Sequence, residues 1–305
     1  MTSFQPYKGK LGIVTGGSRG IGEAVVRRLA AKGCNVLIVY TSDKSTERTV
    51  ALCTELSLKH QVQCSYVQAN LQHAGTAVEK VLDAAKEFFA SYATPNSGFR
   101  VDILINNAGV SSNQQLNDTN LGPIDEAEFN RVYSVNVLAP LLLTQALAPY
   151  LPRDRSGRIV NVSSVSSSIG YQGQSVYAGT KAAVEAMTRS WSRELAARAT
   201  VNAVNPGPAW GDMYAEAGKA FWDINQPYCD STPLAEYHGE PEVKARAGAW
   251  SEDKFDTLVR EAMGGRRPGF TDEIAGTIDM LCSAEAGWTT GSVVCANGGM
   301  KMSIA

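Results

Sequence analysis

The chain has 305 residues, 44% hydrophobic and 19% charged, which supplies a sizeable core and excludes a disordered, collagen-like or disulfide-framework protein. Its 28 basic and 30 acidic side chains leave a net charge of −2, so no basic stripe is at hand to neutralise nucleic-acid phosphates. No run approaches the roughly 18 uninterrupted apolar residues of a membrane helix. The six cysteines form neither a Cys-x-x-Cys pair nor a zinc spacing, and the first ten residues lack an apolar signal segment. The expectation is a soluble, cytoplasmic protein with reduced thiols, acting on a small molecule rather than on nucleic acid or membrane.

In chain order, a first strand over Leu11–Thr15 runs through Thr15-Gly16-Gly17-Ser18-Arg19-Gly20-Ile21-Gly22 into a helix over Ile21–Ala31. Strands follow at Asn35–Tyr40, Gln63–Gln68, Ile103–Asn106, Arg158–Val162, Thr200–Asn205 and Ser292–Ala296. Several are apolar on consecutive residues, the pattern of strands covered on both faces. Helical patterns lie between them at Thr46–Lys59, Ala74–Ala90, Glu126–Tyr150, Ser175–Arg198 and Asp272–Ser283. This alternation predicts an α/β fold, a doubly wound parallel sheet of about seven strands in a single domain spanning residues 1–305. One region breaks the rhythm. From Ala209 to Arg267 no strand is predicted, and seven aromatics fall between Trp210 and Trp250: Trp210, Tyr214, Phe221, Trp222, Tyr228, Tyr237 and Trp250. The expectation is a helical substrate lid inserted after the sixth strand, with Trp210, Tyr214 and Trp222 facing a flat or apolar substrate.

The glycine loop carries the first chemical signal. Glycines allow a tight turn and let the backbone approach a pyrophosphate, while free amides at the helix start attract its charge. Gly16, Ser18, Arg19, Gly20 and Ile21 are therefore candidate cofactor contacts. At the end of the second strand, Tyr40-Thr41-Ser42 offers no carboxylate for a ribose 2′-hydroxyl. Hydroxyls there, with Arg19 nearby, suit a 2′-phosphate and so NADP(H). Farther on, Tyr177 and Lys181 stand four apart on a predicted helix and share a face. A neighbouring ammonium is expected to lower the tyrosine pKa from near 10, so that Tyr177 exchanges a proton with a carbonyl oxygen. Ser164, at the end of a strand, would hydrogen-bond the same oxygen. Singly, each has an ordinary reading as a solvated helix pair or a turn residue; the glycine loop upstream favours catalysis.

Together these motifs resemble the short-chain dehydrogenase/reductase family, over nearly the whole chain. The loop has its TGxxxGxG spacing. Asn106-Asn107-Ala108-Gly109 matches its NNAG element, Asn136 its helix asparagine, Ser164 its serine thirteen residues before the tyrosine, and Tyr177-Ala178-Gly179-Thr180-Lys181 its YxxxK signature. The resemblance implies that Asn107, Ala108 and Gly109 border the cofactor, that Lys181 also holds the nicotinamide ribose, and that Asn136 anchors a proton-relaying water. It also implies that Asn70 lies at the adenine, with Leu71 a further cofactor contact, and Pro206-Gly207 beside the nicotinamide. At Gly211 this chain departs from the threonine the family often has there. The family further implies a homo-oligomer, dimer or tetramer, built on the Glu126–Tyr150 and Ser175–Arg198 helices. The Tyr-Ala-Gly-Thr-Lys signature, Asp212-Met213-Tyr214 and the ending Asn297-Gly298-Gly299-Met300 carry a narrower resemblance to polyhydroxynaphthalene reductases, aromatic-polyketide ketoreductases of secondary metabolism, which implies a cyclic or aromatic ketone. The expected activity is NADP(H)-dependent interconversion of a ketone and a secondary alcohol. Reduction of a conjugated alkene or imine stays open, as does a catalytically silent cofactor-binding regulator.

Overall fold

Strands that are apolar on consecutive residues need cover on both faces, and the computed structural model supplies it. It describes residues 5–95, 97–215, 218–248 and 251–302. The strands are β1 (Leu11–Thr15), β2 (Asn35–Tyr40), β3 (Cys64–Gln68), β4 (Ile103–Asn106), β5 (Gly157–Val162), β6 (Ala199–Pro206) and β7 (Val293–Ala296). Each lies within one residue of its predicted bounds. They form one parallel sheet in the order β7-β6-β5-β4-β1-β2-β3. The order reverses between β1 and β4, where Val14 pairs with Ile105. Loops leaving these two carboxyl ends diverge and open a crevice for a ligand.

The longer helices are α1 (Gly20–Ala31), α2 (Thr46–His60), α3 (Ala74–Tyr92), α4 (Glu126–Tyr133), α5 (Ala139–Leu147), α6 (Ser175–Glu194), α7 (Lys219–Asp230), α8 (Glu252–Thr257) and α9 (Thr271–Cys282). Alternate strand residues feed two cores. Ile13, Leu37 and Leu104 meet α3, α5 and α6 on one face, through residues such as Val81, Leu143 and Trp191. Val14, Ile38 and Ile105 meet α1, α2 and α9 on the other, through Leu29, Leu52 and Ile278. The predicted helix over Ser175–Arg198 stops at Glu194, where the Leu195 carbonyl takes the amides of Arg198 and Ala199 and turns the chain into β6.

The predicted helix Glu126–Tyr150 is continuous but not uniformly α-helical. Pro140 has no N–H to give the carbonyl of Asn136, four residues back. The ladder widens to a π turn over Ser134–Leu138, where Ala139 N donates to the Ser134 carbonyl. By length and composition alone this run passes as a membrane span. Here Val132, Val135, Ala139, Leu143 and Leu147 are buried within the fold.

The segment after β6 differs from its prediction in two ways. It holds a short strand, Ala209–Trp210, pairing in parallel with Gly269–Phe270, so both ends of the insertion are tied together. It also has a core of its own: Trp210, Tyr214, Trp222, Tyr237, Phe255, Val259, Met263 and Phe270 are buried against one another. The Trp210 ring meets Phe255 edge-on at 4.8 Å, and its Nε1 donates to the Ala247 carbonyl at 3.2 Å. Trp222 Nε1 donates to the Tyr214 carbonyl at 3.0 Å. Trp210, Tyr214 and Trp222, expected to face a substrate, are therefore core residues; Trp250 lies outside the described residues. The physical reason is size. An excursion this long must bury its own apolar surface to hold a shape, and large aromatics bury the most.

Trp222→Ala should accordingly act on stability. Removing a buried tryptophan costs about 3–5 kcal/mol, so calorimetry is expected to show the melting temperature falling by roughly 5–15 °C. The ratio of kcat/KM between a large and a small ketone is expected to stay within about twofold. A changed ratio at unchanged melting temperature would return Trp222 to the substrate wall.

Candidate active site

The crevice between β1 and β4 begins with the glycine loop. Gly16 and Gly20 have φ of +65° and +58°, which favours residues without a Cβ. A Cβ on Gly22 would overlap the Gly16 carbonyl, so α1 presses directly onto the loop. Asn107 braces it from β4: its Nδ2 donates to the carbonyls of Thr15 (2.9 Å) and Gly16 (3.1 Å). The amides of Asn107 and Ala108 both donate to Thr15 Oγ1 at 3.0 Å. Arg19, the N-cap of α1, makes no side-chain bond to the first turn, which leaves those amides for an anion. Ser18 is buried, Ile21 half-buried, and Arg19 and Gly20 are exposed at the lip. This cradle fits a dinucleotide pyrophosphate.

Other expected cofactor contacts have local duties as well. Tyr40 is buried, its hydroxyl 3.1 Å from Thr46 Oγ1, so the exposed hydroxyls beyond β2 are those of Thr41 and Ser42. Asn70 caps the short turn Leu71–His73 by accepting from Gln72 N at 3.1 Å, and Leu71 is buried. Pro206 ends β6 opposite Ala296, and its carbonyl takes the amide of Val165. Gly207 runs against Asn297, where a Cβ would stand 3.2 Å from the asparagine Cβ. The Gly211 carbonyl accepts from Tyr214 N and Ala215 N, starting the short helix Asp212–Ala215.

The groups expected to react gather at the carboxyl ends of β4, β5 and β6. Lys181 is 4% exposed and its Nζ donates to the Val162 carbonyl at 2.8 Å. The same Nζ stands 5.6 Å from the Tyr177 ring centroid. Ser164 Oγ donates to Ser166 Oγ at 3.1 Å and accepts from Ser166 N at 3.2 Å, and it is close enough to the Tyr177 phenol to favour its ionised form. Asn136, in the π turn, is fully occupied with structure. It exchanges two 2.9 Å bonds with the amide and carbonyl of Val110 and gives a third to Thr180 Oγ1 at 3.1 Å. Thr180 in turn donates to the Tyr177 carbonyl at 2.6 Å. Gly109 lies alongside both groups, 3.3 Å from Lys181 Nζ and 3.4 Å from Asn136 Oδ1 measured from where its Cβ would be.

One electrostatic expectation is corrected. In the free protein burial pushes the Tyr177 phenol above its usual value, opposed by the Ser164 hydrogen bond, rather than Lys181 drawing it down. Burial also acts on Lys181 itself, pulling its ammonium down to about 8 against the charge of Glu185. At neutral pH the tyrosine is thus a proton donor and the lysine still a cation.

Several residues at the site were missed in the sequence. Glu185 stands one turn beyond Lys181, and its partners come from separate elements. Gln174 stands one turn before Tyr177 and donates from Nε2 to Asn113 Oδ1 at 2.9 Å, while its buried Oε1 finds no partner among the described residues. Tyr171 meets Tyr228 of the insertion edge-on at 4.5 Å, and its hydroxyl lies 3.2 Å from Met300 Sδ. No composition signal marks these, because each is an ordinary residue until the fold brings the loops together.

Residues 10–220 match the short chain dehydrogenase family. The chain is 70% identical over 303 residues to an L-xylo-3-hexulose reductase of Hypocrea jecorina, covering 99% of each chain. It is 57% identical over 297 residues to an L-xylulose reductase of Aspergillus niger, covering 96% of this chain and 98% of that one. Among solved structures, a blue fluorescent protein from a metagenomic library in complex with NADPH superposes with a TM-score of 0.76 at 29% identity, covering 98% of this chain and 100% of that one.

Two measurements check the site. Tyr177→Phe keeps the ring and removes the proton, so turnover of a ketone is expected to fall about 10²-fold or more while cofactor affinity measured by fluorescence holds. Near-normal turnover would exclude Tyr177 as the acid. The second is a pH profile. Below about 8 Lys181 is charged and above it neutral. Since kcat/KM for the cofactor reports the free enzyme, it is expected to be flat near neutrality and to fall as pH rises through about 8. A profile flat to pH 10 would show that the lysine charge is not needed.

Proposed function

The chain belongs to the short-chain dehydrogenase family and is an NADP(H)-dependent oxidoreductase between ketones and secondary alcohols; on that premise we propose that its ketone is a ketose. The observation that carries the substrate class is the 70% identity, along 99% of both chains, to an L-xylo-3-hexulose reductase. The amides at the site are consistent with it. Gln174 and Asn113 offer hydrogen-bond groups suited to hydroxyls beside the tyrosine, and Gln174 Oε1 is a buried acceptor in want of a donor. The flat or apolar substrate suggested by Trp210, Tyr214 and Trp222 loses its basis, because those rings are buried in the insertion, and the 70% and 57% identical ketose reductases favour a sugar over an aromatic polyketide.

The glycine loop, Thr41 and Ser42 would hold the dinucleotide, with Lys181 at its ribose. When bound there, NADPH supplies the hydride that the carbonyl carbon receives. Tyr177 gives its phenolic proton to the carbonyl oxygen, and Ser164 donates a hydrogen bond to that oxygen as charge builds on it. Asn136 holds the loop after β4 and, through Thr180, the backbone of Tyr177, so the acid stays aimed.

The test follows NADPH absorbance with L-xylulose, L-xylo-3-hexulose and a bicyclic aromatic ketone. Ketose kcat/KM is expected to exceed the aromatic value by at least about tenfold, roughly 1.4 kcal/mol of transition-state preference. NADPH is expected to bind at least about tenfold more tightly than NADH. A preference for the aromatic ketone would overturn the ketose reading.

A further inference from the structure

Behind the proton-transfer groups lies a carboxylate that the reaction does not use. Glu185 is half-buried on α6, one turn past Lys181. Its Oε1 accepts three hydrogen bonds, from Ser163 Oγ (2.6 Å), Ser167 Oγ (2.8 Å) and Asn205 Nδ2 (3.0 Å). Ser163 comes just before Ser164 and Ser167 three residues after it, so one oxygen grips the turn on both sides of the reacting serine. Asn205, on β6, also donates from Nδ2 to the Ser164 carbonyl at 2.9 Å and to Ser167 Oγ at 3.2 Å. Ser163 Oγ, whose one proton goes to Glu185, also lies 3.3 Å from the Lys181 carbonyl. An ionised carboxylate only accepts, so every partner is fixed as a donor. Bonds to an ionised acceptor are also shorter and roughly twice as strong as neutral ones.

We infer that Glu185 is a positioning residue, whose hydrogen bonds hold Ser164 in register with Tyr177 and whose charge backs the Lys181 ammonium. The surroundings of that ammonium make the electrostatic half specific. It faces the neutral Val162 carbonyl from β5 and Gly109 beside Asn136 from the β4 side, with Tyr177 and Glu185 the titratable groups one turn to either side on its own helix, and Arg189, Arg193 and Glu194 farther along it. Over the serine turn, Lys301 donates to the Ser168 carbonyl at 3.2 Å and adds a second positive charge. Burial pulls Lys181 down while Glu185 opposes the pull. The serine, the lysine and their shared brace are thereby one unit, drawn from β5, β6 and α6.

The test uses Glu185→Gln, which keeps shape and removes charge. Lys181 is titrated in the free full-length protein by the 13C NMR signal of its Cε, assigned with Lys181→Met. The midpoint is expected to drop by at least about half a pH unit, and kcat on the best ketone to fall about tenfold. An unmoved midpoint, or an unchanged kcat, overturns the inference. If Glu185→Gln does not fold, Ser167→Ala removes one donor and keeps the carboxylate. Its kcat is then expected to fall severalfold at unchanged NADPH affinity, and a wild-type kcat overturns the inference. The kinetic arm rests on the ketone-reductase reading. A wild-type protein inactive on every ketone would count against that reading and leave the NMR midpoint to decide this one.

Discussion

The site depends on where one buried ammonium finds its acceptor. Lys181 has almost no exposure, and an unpaired charge there would cost several kcal/mol. Its bond to the Val162 carbonyl ties the middle of α6 to the end of β5. Ser164 follows Val162 by two residues, and Tyr177 precedes Lys181 by one turn. That contact brings the serine turn and the tyrosine turn to the same place, where the Glu185 bonds brace the serine side. From the other side Asn136 fastens Val110 and Thr180, so α6 is held at both flanks of the phenol. The π turn that presents Asn136 follows from Pro140, which cannot donate to the helix ladder.

The cofactor half of the crevice is built from backbone in the same spirit. β1 and β4 diverge at the switch point, and Asn107 reaches across the gap to hold the carbonyls that shape the loop. Side chains would only obstruct here, as the overlap of a Gly22 Cβ with the Gly16 carbonyl makes plain. What remains is a concave surface of amides at a helix start, a shape that selects for an anionic group rather than for any one residue's chemistry.

The insertion is a small module docked on this frame. Its aromatics make a core, and its ends are clamped where Arg246 and Arg267 both stack on Phe270, at 4.0 and 5.1 Å. The same arginines pair with Glu273 at the start of α9, and Arg246 with Asp272. Such partly exposed pairs add little individually, but together with the Ala209–Trp210 ladder they anchor both ends of the module. Its contact with the reacting region runs through Tyr228 against Tyr171, six residues ahead of Tyr177.

The sequence by itself determined the sheet, because its central strands, buried on both faces, are apolar on consecutive residues, and because short strand runs alternate with longer helical patterns along the chain. It also pointed to the candidate reacting set, since Tyr177 and Lys181 share a helix face at a spacing of four and the glycine loop declares a close approach of backbone to ligand. Tertiary structure alone decided the rest. Trp210, Tyr214 and Trp222 read alike as substrate wall or as core, because an aromatic ring is suited to both, and only the surrounding helices settle which face it meets. The direction of the Tyr177 shift could not be read either, since burial and a neighbouring charge pull opposite ways and their balance depends on depth. Glu185 stayed silent for the plainest reason: its partners at positions 163, 167 and 205 come from separate elements, and hydrogen bonds between distant residues exist only after the chain has folded.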